Sequence, residues 1–171
     1  MLSKKIEAAI NGQINWELYS SYLYLSMSAD AAAKNLTGMA SWLMSQSQEE
    51  VTHAMKLYNH VIERGGTISL APIGAVKASW KNPLEAFKDA LEHEKGVTDK
   101  INKIVDMAIA EKDHATHNML HWFVDEQVEE EANATAIVEK LKLIGDNPGP
   151  LYMLDKELGG RPLLFTIPKG D

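Results

Sequence analysis

The stretch QEEVTHA at residues 48–54 lies in the middle of a long helical segment and breaks its apolar stripe. Leu43 and Leu57 mark the face of this helix that should enter a protein core, because apolar residues recur there at helical spacing. Glu50 and His53 fall on the same face, three residues apart. A carboxylate and an imidazole therefore occupy positions where a simple helical core would have aliphatic side chains.

Three other helical segments are interrupted in the same way. The stripe of the first is broken by Glu17, that of the third by Glu94, and that of the fourth by Gln127 and Glu130. Each break falls about midway along its segment. Because the midpoints of antiparallel helices lie at the same level, we expect all these polar groups to meet in the middle of a helical bundle.

The helical segments and the lengths of their connections predict the fold. Few glycines or prolines interrupt the segments, and the sequence NPLE at 82–85 has the cap and first-turn residues of a helix start. Short turns favour antiparallel neighbours, whereas the long middle loop can cross the length of a bundle. We predict an all-α fold: a four-helix bundle with one long crossover and a short C-terminal fifth helix, in a single domain 1–171. The predicted helices are about 3–34, 37–64, 83–111, 114–144 and 148–158.

Composition excludes several functions. The chain of 171 residues has no cysteine, which rules out disulfides, thiolate metal sites, iron–sulfur clusters and cysteine nucleophiles. A net charge of −7 and a pI near 5.4 argue against nucleic-acid binding, which needs a basic surface. No apolar run approaches the ~20 residues of a membrane span, and the first residues lack a signal-peptide pattern. We therefore expect a cytoplasmic protein with no nucleic-acid or membrane partner.

The convergent carboxylates predict a metal site. A carboxylate buried alone is costly or takes up a proton, and four at one level repel each other unless cations lie between them. The four glutamates and His53 offer about enough ligands for two divalent ions that share one carboxylate. Oxygen ligands with one imidazole favour iron or manganese, and zinc can compete. The alternative is that these glutamates lie on the surface of helices whose faces have been assigned incorrectly.

Around these residues the sequence resembles a non-haem ferritin of the bacterial and archaeal type, over essentially the whole chain. The similar stretches are NWELYSSYLY at 15–24, QEEVTHA at 48–54, EHE at 92–94, WFVDEQVEEE at 122–131 and LDKEL at 154–158. The resemblance implies a homo-oligomer, a hollow shell of twenty-four chains. Such a shell oxidises Fe(II) with dioxygen or hydrogen peroxide and stores ferric mineral.

The resemblance also implies a di-iron centre. One iron would bind Glu17, Glu50 and His53. The second would bind Glu50, Glu94 and Glu130, so that Glu50 bridges the pair.

Further roles follow from the same resemblance. Gln127 and Tyr24 would lie beside the di-iron centre. A third iron site, which shares Glu130, would use Glu49, Glu126 and Glu129.

Related functions fit less well. Bacterioferritin has a second Glu-x-x-His motif, altered here to QVEE at 127–130, and a haem-ligating Met where this chain has Val51, so no haem is expected. Rubrerythrin needs cysteine. The main alternative is a di-metal carboxylate oxidase or oxygenase that acts on an organic substrate without storing iron; a metal-free structural bundle is a third hypothesis.

The remaining histidines have simpler explanations. We expect His60 and His93 to be surface or hydrogen-bonded side chains. His114, His117 and His121 cluster where the family has threefold channels, so they either modify ion entry or lie in a solvated turn.

Overall fold

The computed structural model describes residues 2–166 and contains five helices in that part of the chain. No β-strand occurs among these residues, and the predicted all-α four-helix bundle with a long crossover and a short fifth helix is confirmed. The single domain 1–171 stays a prediction, because residues 1 and 167–171 lie outside the described part. The helices are α1 Lys4–Ala33, α2 Thr37–Glu63, α3 Pro83–Ala110, α4 His114–Ile144 and α5 Pro148–Leu158.

Local capping explains where three of the long helices begin. The hydroxyl of Ser3 accepts from the main-chain N–H of Ile6 at the start of α1. Asn82 caps α3 in the same way, with Pro83 at the first helical position. Asp113 caps α4. These side chains satisfy N–H groups that have no partner within the helix.

The start of α2 is capped from a distance. Leu36 has no side chain that could cap, and the carboxylate of Asp155 on α5 accepts from the N–H groups of Gly38 and Met39 at 3.1 and 2.8 Å. Asp155 is buried by this contact. The short fifth helix is therefore fixed across the end of the bundle by an N-cap that it supplies to another helix.

Gly38 allows this close approach, which gives a test of it. A Cβ atom at Gly38 would lie 1.7 Å from the Asp155 carbonyl oxygen, so we expect Gly38→Ala to displace α5 and to destabilise the protein by about 1–3 kcal/mol. Gly96→Ala is the matched control, because a Cβ there meets nothing within 4 Å and should stabilise α3 by roughly 0.5–1 kcal/mol. Denaturant midpoints and hydrogen exchange of α5 amides measure both effects. Equal midpoints for the two variants would contradict this explanation.

The crossover, residues 64–82, runs along α1 and is held there by side chains of that helix. Asn11 donates to the carbonyl of Thr67 at 2.9 Å and accepts from the N–H of Ser69 at 2.8 Å. Ser26 donates to the carbonyl of Lys77 at 2.8 Å. The crossover has no helix or strand of its own, and these bonds satisfy part of its main chain.

The apolar core is divided into two halves by a polar layer. One half contains Tyr24, Met27, Leu43 and Phe87, and the other contains Ile6, Ile10, Leu57, Ile101 and Phe123. The polar side chains that separate the halves are Glu17, Glu50, His53, Glu94, Gln127 and Glu130, all buried.

Within the described residues, no helix is long and apolar enough to span a membrane.

Candidate metal centre

The four long helices each contribute at least one polar side chain to the layer. Glu17 comes from α1, Glu50 and His53 from α2, Glu94 from α3, and Gln127 and Glu130 from α4. All six are between 1% and 3% exposed. The alternative that the glutamates lie on the surface is therefore wrong.

One group of possible ligand atoms comes from side chains of α1 and α2. Glu17, Glu50 and His53 each offer an atom, and the three atoms are within 4.8 Å of one another. Oε2 of Glu17 and Oε2 of Glu50 are buried and accept no hydrogen bond. Buried acceptors without donors are costly, and a cation would satisfy them. We call these three residues the inner group, and its donor set fits a divalent metal ion.

A second group lies beside it, towards the flank of the bundle. Glu49, His53, Glu126 and Glu130 offer ligand atoms within 4.8 Å of one another, and we call them the outer group. Glu49 and Glu126 are half-buried. The predicted third-site residue Glu129 is exposed and lies outside both groups.

Glu94 also lies outside both groups, and protein donors bind its carboxylate. The hydroxyl of Tyr24 donates to Oε1, and the amide of Gln127 donates to Oε2 at 3.2 Å. The amide of Gln127 lies 3.3 Å from the hydroxyl of Thr98 as well. The structure therefore places Tyr24 and Gln127 beside Glu94, where the family resemblance predicts the second iron.

Burial determines the protonation of the centre. Desolvation raises the pKa of Glu17 to about 7 and that of Glu130 to about 8, and repulsion from Glu94 adds to the second shift. Desolvation, together with the charges of Glu94, Glu17 and Glu130, raises the pKa of Glu50 well above its ordinary value. The carboxyl groups of the layer are thus partly protonated near neutral pH, and a metal ion has to displace those protons.

His53 shows the opposite shift. Burial, helped by the charge of Lys56, lowers its pKa to about 4, so the imidazole is neutral at physiological pH. Its ring packs edge-on against Trp122 and Phe123, with centroids 5.3 and 6.0 Å away. A neutral, sterically fixed imidazole is the form that binds metal ions.

Two glutamines support the carboxylates and were not assigned from the sequence. Gln13 donates to Oε1 of Glu17 at 2.9 Å, and Gln46 donates to Oε2 of Glu130 at 2.7 Å. Gln13 lies one turn before Glu17, and Gln46 lies one turn before Glu50. A glutamine one turn from a buried glutamate was the available signal, but it does not show which carboxylate the amide reaches.

The other histidines do not join either group. His60 is buried and its Nε2 lies 2.9 Å from the hydroxyl of Thr116. His93 bonds the hydroxyl of Ser20 at 2.7 Å. Nε2 of the half-buried His117 and Nε2 of the exposed His121 lie 3.3 Å apart, and His114 is exposed. A role of these last three histidines in ion entry stays a prediction.

Fold and site together define a helical bundle with a central carboxylate layer suited to metal ions, and comparisons with known proteins agree. Residues 7–144 match the ferritin-like domain. The chain is 45% identical to a bacterial non-haem ferritin of Bacteroides fragilis over 161 residues, which cover 94% of this chain and 100% of the relative. It is 38% identical to the corresponding protein of Staphylococcus aureus, with 94% and 97% covered.

A solved structure gives the same result. An open-pore ferritin from the hyperthermophilic archaeon Archaeoglobus fulgidus superposes with a TM-score of 0.94 at 49% identity, and covers 95% of this chain and 100% of its own. The chain belongs to the ferritin family, whose members are iron-storage proteins, and the predicted resemblance to non-haem ferritin is confirmed.

Proposed function

We propose that this chain is the subunit of a ferritin shell that oxidises Fe(II) at the carboxylate layer and stores the product. The observation that carries the proposal is the pair of buried carboxylate oxygens on Glu17 and Glu50 that accept no hydrogen bond, beside the neutral imidazole of His53, whose Nδ1 lies 3.5 Å from Oε2 of Glu50. The names of the relatives support iron as the cargo.

Two Fe(II) ions are the substrate in this proposal. Glu17, Glu50 and His53 bind the first, and Glu50 bridges to the second, which Glu94 and Glu130 complete. Each ion gives one electron to dioxygen, and two electrons with two protons convert dioxygen to hydrogen peroxide. The protons that the carboxyl groups hold near neutral pH are released when the ions bind, so they are available for this step.

Tyr24 and Gln127 have positioning roles in the proposal. Both donate to the carboxylate of Glu94 and so fix the orientation of a ligand of the second ion. Burial and the charge of Glu94 raise the pKa of Tyr24 well above its ordinary value, so its hydroxyl keeps the proton it donates.

The alternative is a di-metal oxidase or oxygenase with an organic substrate. A cavity of about 320 Å³ opens beside Gln127 and is lined also by Thr98, Ile101 and Glu131. A small organic molecule would fit this volume, so the proposal needs a test that separates storage from oxidation alone.

Particle mass and mineral retention provide that test. Twenty-four chains of 19.0 kDa give a particle of roughly 450 kDa, which we expect on size-exclusion chromatography with light scattering. Fe(II) added in air beyond two ions per chain should stay in solution with the protein. If the particle has the mass of only one or two chains and the excess iron precipitates, the result would favour the oxidase. The assembly number, the oxidant and the cytoplasmic location stay predictions.

The outer group gives a second expectation. The triple variant with Glu49→Gln, Glu126→Gln and Glu129→Gln should leave oxidation of the first two irons per chain unchanged, because none of the proposed ligands of those two irons is altered. Turnover of later iron should change, as expected if the outer group handles ions between the centre and the cavity. Repeated Fe(II) additions followed by near-ultraviolet absorbance measure this. Glu129→Gln alone is the control, since Glu129 is exposed. A triple variant equal to the parent through many additions would show that the outer group has no role.

A further inference from the structure

A short segment after α5 lies along α2. We call residues 161–165 the C-terminal strap. The amide of Gln48 accepts from the N–H of Leu164 at 2.8 Å and donates to the carbonyl of Phe165 at 2.8 Å. Ser45 donates to the carbonyl of Pro162 at 3.1 Å. Side chains of α2 therefore hold the main chain of the strap against the bundle.

Arg161 begins the strap and reaches the outer group. Its guanidinium donates to the carboxylate of Glu49 and to Oε1 of Gln46. The guanidinium carbon also lies over the ring of Trp42, 4.9 Å from the centroid, and Trp42 is buried. The arginine side chain is thus fixed on three sides, by a carboxylate, an amide and an aromatic face.

Arg161 also determines the orientation of Gln46. A guanidinium can only donate, so the oxygen of the Gln46 amide has to face Arg161. The amide nitrogen then faces Glu130 and donates to Oε2 at 2.7 Å. Arg161 therefore contacts one carboxylate of the outer group directly and positions a second one through Gln46.

This arrangement distinguishes the two groups. In the inner group, the buried Oε2 atoms of Glu17 and Glu50 accept no hydrogen bond. In the outer group, the carboxylate of Glu49 is paired with a fixed positive charge. A metal ion that binds the outer group meets that charge at short range, where solvent screening is incomplete because both side chains are about one quarter exposed or less.

We propose that Arg161 regulates the outer group as a competing cation, which an incoming metal ion has to displace from Glu49. The proposal rests on the proposed function, since it takes the outer group to hold iron. Arg161 lowers the affinity of the outer group for metal ions, so the inner group fills first. An ion in the outer group then dissociates readily, because the guanidinium returns to Glu49.

Metal binding without oxidation tests this directly. The metal-free, assembled protein is titrated anaerobically with Zn(II) by calorimetry, for the parent and for Arg161→Gln. We expect the weaker class of site to gain about tenfold in affinity in the variant. The tighter class, which is the inner group of Glu17, Glu50 and His53, should change by less than about twofold, because Arg161 contacts none of these residues. A weaker class that is unchanged, or that binds Zn(II) less tightly, would overturn the proposal, because an arginine with only a structural role gives one of those results.

The chain offers a matched control. Arg64→Gln removes the same charge from the other arginine, which pairs with Asp113 at 2.8 Å. Arg64 directly follows α2 and lies fifteen residues from Glu49, roughly 22 Å at 1.5 Å per residue, beyond a screening length of about 8–10 Å. Zn(II) affinities of this variant should equal those of the parent. A gain equal to that of Arg161→Gln would show a non-specific effect of net charge and overturn the proposal.

Two further variants separate charge from shape and protect the test against misfolding. Arg161→Lys keeps the positive charge but loses the planar guanidinium with its several N–H donors. The Zn(II) affinity of the weaker class should therefore stay within about threefold of that of the parent. Gln48→Ala frees the strap while Arg161 remains, and should shift the weaker class in the same direction as Arg161→Gln. If neither Arg161→Gln nor Gln48→Ala changes the weaker class, the proposal fails.

The proposed function can fail separately. If Zn(II) uptake by the parent does not depend on Glu50, the carboxylate layer is not the metal centre and the proposed function is wrong. If Glu50→Ala abolishes tight binding but Arg161→Gln leaves the weaker class as it was, only the role of Arg161 is wrong.

Discussion

Replacement of Glu50 by Ala should abolish rapid oxidation of Fe(II), with a rate loss on the order of a hundredfold or more. Changes to groups that merely orient a metal ligand cost about 10–100-fold in affinity or activity, and Glu50 is proposed to ligate both ions. Stopped-flow absorbance in the near ultraviolet after mixing with two Fe(II) per chain measures the rate. Normal fast oxidation by a folded variant would refute the assignment of the centre.

The same variant should still fold and assemble. The pKa of Glu50 is raised by burial and by Glu94, Glu17 and Glu130, so this carboxyl group destabilises the layer when it is ionised and no metal is bound. Glu92→Ala on α3 is the control, because Glu92 is exposed and lies outside both groups. Its oxidation rate should equal that of the parent.

Metal-free protein should become less stable as the pH rises from about 6 to 8.5. Glu17 and Glu130 have folded pKa values of about 7 and about 8, against an ordinary value of 4.5. The folded state thus binds more protons than the unfolded state in this range, and stability falls as pH rises. Their contribution is complete below about 4.5 and is lost as the pH passes through 7 to 8.

Anaerobic addition of Zn(II) should oppose this loss of stability at high pH. A ligand that binds only the folded state stabilises it by about 2.7 kcal/mol at a hundredfold excess over Kd, and deprotonated carboxylates bind more tightly. The stabilisation by metal should therefore grow with pH. Denaturant midpoints at several pH values, with and without Zn(II), measure both effects. Glu17→Gln should reduce the pH dependence. Midpoints that do not vary with pH in the metal-free protein would contradict protonated carboxyl groups in the layer.

The polar layer could be predicted from the sequence because it depends only on helical spacing and depth. Glu17, Glu50, Glu94 and Glu130 each interrupt an apolar stripe about midway along a helix, and helices joined by short turns bring their midpoints together. Asn82 could be predicted as a cap because its partner lies three residues away in the chain.

Features that depend on contacts between distant residues could not be predicted. The division into inner and outer groups depends on side-chain conformation, which spacing does not determine. Asp155 caps α2 from 117 residues away, and Arg161 pairs with Glu49 from 112 residues away. The strap has no periodic pattern after Gly159 and Gly160, so its contact with α2 left no signal in the sequence.

The polar layer between the two apolar halves also fixes the register of the bundle. If one helix slid along its neighbours by a turn, about 5.4 Å, its glutamate would face the isoleucines and leucines of one half. An aliphatic side chain would then enter the carboxylate layer and leave polar groups without partners. A single buried polar residue sets register and strand number in coiled coils by the same penalty. The glutamates that would bind iron thus also select one alignment of four otherwise similar amphipathic helices.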